Sequence, residues 1–177
     1  MTRLKTRDGL YTAMFSALIA ICAWIAVPGA VPFTMQTFAV FLAAALLGGK
    51  RAAVSVAVYM LVGILGLPVF SGGQGGVGTL FGTTGGYIIG FLPCAYIAGK
   101  LCEKTKKRPL AMAFSMLAGL LCDYIFGLAW FCLVYSRGDF NSGLWNMAIS
   151  ITAPFVFPDI AKIILACIVS LRFQKIR

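Results

Sequence analysis

Asp159 and Lys162 stand three residues apart in a stretch, Met147–Leu171, that is otherwise apolar. An ionised side chain at the centre of a bilayer costs about 2.5–3.5 kcal/mol on insertion scales. A carboxylate and an ammonium kept together in such a stretch therefore imply a use. On a helix, positions i and i+3 share a face, so the two charges can partly neutralise each other. Such a pair either holds a small molecule that offers donors and acceptors, or ties helices together. Asp123, in Leu120-Leu121-Cys122-Asp123-Tyr124, is a second carboxylate in apolar surroundings, with no opposite charge at helical spacing in its own segment. Its roles are capping another helix, pairing with a group from elsewhere, or lining a cavity.

Neutral polar groups gather in two places. Thr34, Gln36 and Thr37 open one apolar run, while Gln74, Thr79, Thr83, Thr84 and Tyr87 flank a glycine-rich connection. Amides and hydroxyls both donate and accept, so with one cation and one anion they describe a small polar pocket. Other chemistry is poorly provided for. The chain has no histidine, which removes the usual general base and the commonest zinc ligand. There is no P-loop and no Gly-x-Ser-x-Gly elbow, and Asp123 and Asp159 fall on different segments, against a two-metal site. The six cysteines lie singly in apolar stretches and read as packing residues. No catalytic residue, metal or cofactor is expected, and the chain reads as a non-enzyme without an ATP site.

The elements that must position these groups are membrane helices. Hydrophobic residues make up 60% of the 177 and charged residues 11%, and mean hydropathy is +0.94; soluble domains are nearer half apolar and a quarter charged. Apolar runs between charged or turn-rich breaks give an all-α bundle of six transmembrane helices in a single domain over 1–177. The spans are about Leu10–Val27, Phe33–Gly48, Ala52–Leu67, Thr83–Leu101, Leu110–Tyr135 and Met147–Leu171. Gly48-Gly49-Lys50-Arg51 separates the second from the third, since one helix through it would bury two cations. Of the 15 basic residues, 13 fall at the two ends and in the second and fourth connections, with Arg137 opposite and Lys162 in the membrane. The positive-inside rule then makes both termini cytoplasmic. The net charge of +10 reads as a topology signal and a contact with anionic lipid in the bilayer. No aromatic-basic interleaving points to nucleic acid. Leu10–Val27 is read as a retained span and not a cleaved signal, because Trp24 and Pro28 make a poor cleavage site.

The outer connections are the unusual ones. Residues 28–32 form a short proline-bracketed link, and Leu67–Gly82 carries six glycines in sixteen residues. Such a backbone can approach a ligand closely. Val69, Phe70, Leu80 and Phe81 within it prefer burial, so it reads as a cover over a ligand. Pro158 suits the first turn of a helix, placing Asp159 near a helix amino end, where the dipole favours a carboxylate; Pro154 to Pro158 is expected to be extended. Ala13 and Ala17, four apart in the first span, make a smooth strip for another helix.

Four stretches together resemble one family. They are Val31-Pro32-Phe33-Thr34-Met35-Gln36-Thr37, Gly66-Leu67-Pro68-Val69-Phe70 with its glycine-rich continuation, Phe81-Gly82-Thr83-Thr84-Gly85-Gly86-Tyr87-Ile88-Ile89-Gly90-Phe91, and Pro158-Asp159-Ile160-Ala161-Lys162. In order and spacing they resemble BioY, the biotin-specific substrate-binding component of energy-coupling-factor transporters, over nearly the whole chain. The family has proline where this chain has Thr83. The resemblance implies a six-helix protein of the bacterial cytoplasmic membrane that binds biotin from the outer side. It also implies partnership with a transmembrane coupling subunit, against which Ala13 and Ala17 would lie, and with two cytoplasmic ATPases. Biotin's ureido ring offers two N–H donors and a carbonyl, beside an apolar thioether ring and an anionic tail. Asp159, Lys162, Gln36, Gln74, Thr84 and Tyr87 are the residues expected to meet it. Two other readings fit the same residues: a binding component for a different vitamin, and a membrane scaffold subunit whose charge pair is structural.

Overall fold

The structure, a computed structural model, describes residues 6–27, 33–82, 84–105, 108–136, 146, 149–150 and 152–175. The link over 28–32, Thr83, Arg137 and Met147 lie outside them, as do the cations Arg3, Lys5, Lys106, Lys107 and Arg177. The main elements are α1 (Thr6–Trp24), β1 (Ala26–Val27), β2 (Phe33–Thr34), α2 (Gln36–Leu47), α3 (Gly49–Ile64), α4 (Val77–Phe81), α5 (Gly85–Cys102), α6 (Pro109–Ser136) and α7 (Val156–Lys175). One 3₁₀ turn spans Ser71–Gly73 and another, Ala153–Phe155, runs directly into α7.

The helices bury polar side chains within an apolar core and expose large apolar ones. Leu110, Phe114, Leu121, Ile125 and Leu133 of α6 and Ile164 and Ile168 of α7 are exposed, whereas Ser55, Ser115, Asp123, Asp159, Lys162 and Ser170 are buried. Water would favour the reverse arrangement, and hydrocarbon favours this one. Among the described residues, three stretches are long and apolar enough to cross a membrane: Gly85–Cys102, Pro109–Val134 and Ala153–Phe173. The apolar helix α2, with 12 residues, is only about 18 Å long at 1.5 Å per residue.

The most extensive helix contact is between α5 and α6, and glycines make it close. A β-carbon at Gly86 would strike the Trp130 side chain, and one at Gly119 would strike the Cys94 carbonyl. Small residues at such crossings let helices approach without lipid between them. The break between α2 and α3 is a single residue, Gly48, at φ +79°, a conformation that glycine adopts without steric cost. Lys50 and Arg51 are therefore inside the first turn of α3 and not in a turn before it. Arg51 reaches Asp8 of α1 at 2.9 Å. Glu103, just past α5, accepts from the Gly49 N–H at 3.0 Å and from Lys100 at 2.9 Å, and the Lys100 ammonium holds its carboxyl below the usual carboxylate range.

Three element starts differ from expectation. The second run opens as a β-pair, with Ala26 opposite Thr34 and Val27 opposite Phe33, and helix begins only at Gln36. The fourth begins at Gly85. The Pro154–Pro158 piece is helical, not extended, and α7 begins at Val156. Proline costs little there, because the first N–H groups of a helix have no intrahelical partner. Asp159 remains in the first turn of α7. All six cysteines are free thiols, four of them buried.

Candidate functional site

The starts of α2, α5 and α7, the middle of α6 and one loop converge on a cavity of about 70 Å³ that is open on one side. Thr34, Gln36 and Thr37 contribute from the β2–α2 corner. Thr84, Tyr87, Ile88 and Phe91 come from the start of α5, Asp123 and Tyr124 from α6, Phe155, Asp159 and Lys162 from the last helical segment, and Ser71 from the glycine-rich loop.

The β1–β2 pair explains part of the geometry. By turning the chain just before α2, it leaves the Thr34 carbonyl pointing at Lys162, which donates to it at 2.6 Å. Lys162 also donates to Thr37 Oγ1 at 3.0 Å and to Asp159 Oδ1 at 2.7 Å, and its ammonium lies 4.0 Å from the Phe33 ring centre. Thr37 donates its own hydroxyl to Asp159 Oδ1 at 2.9 Å, and Tyr124 donates to Asp159 Oδ2 at 2.6 Å. Asp159 is 3% exposed and Lys162 5%. The pair thus lines the cavity and also stitches α7 to the β2–α2 corner and to α6. All three Lys162 N–H groups are taken up by the protein, while Asp159 keeps a lone-pair site for a further donor.

A second network fixes the α2 side. Gln36 donates through Nε2 to Tyr59 Oη at 2.5 Å and accepts from Thr34 Oγ1 at 2.9 Å, so both ends of its amide are engaged. Tyr59 in turn meets Phe70 edge to face, ring centres 5.6 Å apart. Tyr87 Oη bonds to Thr152 Oγ1 at 2.8 Å, holding the α5 start against the approach to α7. Phe33 and Phe155 stack with centres 6.1 Å apart and give the cavity an aromatic wall.

The glycine-rich loop is packed. Phe70 within it is fully buried and Leu80 nearly so. Its backbone is pinned by Gly76 N–H to the Gly63 carbonyl at 2.7 Å. Two tryptophans hold its ends: Trp24 donates to the Pro68 carbonyl and Trp130 to the Gly82 carbonyl, both at 3.0 Å. Phe81, expected to prefer burial, is 67% exposed and meets Trp130 instead.

Of the expected residues, Asp159, Lys162, Gln36, Thr84 and Tyr87 come together at the cavity. Gln74 does not: it is exposed and not among the lining residues, its backbone instead bridging to Phe70. Ala13 and Ala17 are exposed on the outer face of α1. Sequence reasoning passed over Ser71, Tyr124 and Tyr59. For Tyr124 there was a usable signal, a phenol beside an intramembrane carboxylate. For Ser71 and Tyr59 there was none, since each reaches its place through tertiary packing.

The chain is similar to known proteins along its whole length. The chain matches the BioY family over residues 1–177. It is 41% identical to the biotin transporter BioY of Thermotoga maritima over 96% of this chain and 97% of that one. It is 35% identical to the biotin transporter BioY of Rhodobacter capsulatus, covering 100% and 96% respectively. Its fold is similar to a crystal structure of the S-component for biotin from an ECF-type ABC transporter. That likeness has a TM-score of 0.84 and 25% identity over 99% of this chain and 94% of that one. With the match running end to end in sequence and the same fold in a solved relative, the chain belongs to the BioY family.

Proposed function

We propose that this chain binds biotin in the cavity and brings it across the membrane as the substrate-binding component of an energy-coupling-factor transporter. It is an integral membrane protein, and its work is binding and passage, with ATP hydrolysis on partner subunits. The observation that carries the reading is a buried, mixed-polarity cavity among apolar helices, in a chain that belongs to a family of biotin transporters. A flat ureido head needs hydrogen-bond partners, a thioether ring needs apolar walls, and a carboxylate tail needs an exit toward water. The cavity offers carboxylates and hydroxyls in its depth, Phe91, Ile88 and Phe155 as walls, and an open mouth.

In this reading the site residues are Asp159, Lys162, Gln36, Thr84 and Tyr87, with the glycine-rich loop as the cover. One domain over 1–177 forms the bundle; α1, α2, α3, α5, α6 and α7 cross a bacterial cytoplasmic membrane, and both termini face the cytoplasm. A transmembrane coupling subunit packs on the Ala13–Ala17 face of α1, and two ATPases complete the assembly. The test is equilibrium binding of labelled biotin to the purified protein, with thiamine and riboflavin as controls. Saturable binding of biotin alone is expected. A preference for another vitamin, or no saturable binding at micromolar biotin, rejects the reading, the latter in favour of a scaffold with a structural charge pair.

A further inference from the structure

The charges most visible in the cavity are the ones least free to bind. All three Lys162 N–H groups already donate to protein oxygens, namely Thr34 O, Thr37 Oγ1 and Asp159 Oδ1. Asp159 accepts from Lys162, Thr37 and Tyr124. A carboxylate has about four lone-pair sites, so Asp159 keeps room for one more donor. Elsewhere in the same cavity two buried side-chain atoms have no hydrogen-bond partner among the described residues, Asp123 Oδ1 and Ser71 Oγ. Asp123 is 2% exposed. Its carboxyl has room only because position 90 of α5 is glycine: a β-carbon there would strike Oδ1. Buried polar atoms in native proteins are nearly always paired, and Asp123, whose carboxyl has no hydrogen bond among the described residues, is one of the residues lining the cavity.

We propose that Asp123 contacts the ligand directly, its carboxyl accepting one ureido N–H of biotin while Asp159 accepts the other. The inference rests on the biotin reading above. A carboxylate oxygen needs a donor, and the ureido N–H groups are the donors of bound biotin; its carbonyl, sulfur and ionised tail are acceptors. The two N–H groups point away from opposite edges of the ring, so they need acceptors on two walls. Asp159 has one site left, and Asp123 on α6 supplies the second. Ser71, reaching in from the loop, is the orphan that can donate, and it suits an oxygen of the ligand. Asp159 and Lys162 then form a preassembled floor, and Asp123 is the residue that reads the ring.

The test measures affinity for biotin and for its two mono-N-methylated ureido isomers in the unaltered full-length protein and in D123A, D123L and D123N. D123A and D123L should weaken biotin about tenfold to a hundredfold, the size of a hydrogen bond to a charged group. For the isomer methylated at the nitrogen facing Asp123, neither variant should cause a further loss; for the other isomer the loss should be full. D123N, which retains an oxygen at that place, should bind more tightly than D123A. Should D123A fail to fold, D123L carries the same comparison with an apolar side chain branched, like aspartate, at Cγ. Unchanged biotin affinity, or equal losses for biotin and both isomers, overturns the proposal while leaving the transport reading intact. Failure of the unaltered protein to bind biotin overturns both.

Discussion

Lys162 gives every N–H it has to the protein, and Asp159 holds three donors, so their contribution is to stability as much as to recognition. Removing one partner of a buried pair strands the other charge, at a cost of about 3–5 kcal/mol. We therefore expect Lys162→Met to lower thermal stability in detergent by an amount of that order and to abolish biotin binding. The double variant Asp159→Asn with Lys162→Met should melt above Lys162→Met alone, because it leaves no unpaired charge. A double variant that melts no higher would show that charge is not what the pair contributes. Tyr124→Phe removes one hydrogen bond to the carboxylate, 2.6 Å long, and should cost about 1.5–3 kcal/mol, less than Lys162→Met. The pair was visible in the sequence because two charges in an apolar run stand out. That the protein takes up so much of its bonding was not, since Thr37 and Thr34 lie 122 and 128 positions away from their partners. Spacing within one helix says nothing about donors so distant in the chain.

Gly63 and Phe70 couple the loop to the helix beneath it. A β-carbon at Gly63 in α3 would overlap the Phe70 ring, and Phe70 rests on Tyr59, which holds Gln36 at the cavity. Gly63→Val should push Phe70 out and unseat the loop. Overpacking of this kind costs about 1–3 kcal/mol, and biotin affinity should fall about tenfold or more, the equivalent of that energy. Circular dichroism should show unchanged helix content while proteolysis between residues 65 and 76 accelerates; retained affinity with an intact loop would show that Phe70 can be accommodated elsewhere. The helices themselves were legible from apolar runs and from Gly48, whose neighbours Lys50 and Arg51 argued for a break. Their starts were less so. Phe33–Thr34 pair with Ala26–Val27 as strand, a choice made by a partner across a turn, and the apolar pattern of the run does not distinguish the two. The short helix α4 was hidden for a similar reason. Five residues, Val77–Phe81, are too few for periodicity to register, and Gly76 and Gly82 around them read as loop.

Seen whole, the molecule buries polar side chains between its helices and leaves large apolar ones on its flanks, and α1 shows both on two faces. Thr12, Ser16, Ile19 and Ala23 are buried, and Ser16 Oγ donates to the Ser55 carbonyl of α3 at 2.7 Å. The opposite face carries Leu10, Met14, Ile21 and Trp24, each more than half exposed, with Ala13 and Ala17 between them. Neither alanine lines the cavity, so a bulky residue at either position adds volume outside the fold. Surface substitutions away from packed or bonded features change free energies by no more than about 0.5 kcal/mol, which is about a twofold change in affinity at most. Ala13→Leu and Ala17→Leu should therefore leave biotin binding to the isolated protein within that margin. If α1 presents this smooth strip to a coupling subunit, added side chains hold the two helices apart and forfeit the close packing that small residues allow. Uptake of labelled biotin by cells carrying the complete assembly should then fall, and the coupling subunit should no longer co-purify. Undiminished uptake with intact co-purification would remove α1 from that interface, because no lost binding in the cavity could account for the result.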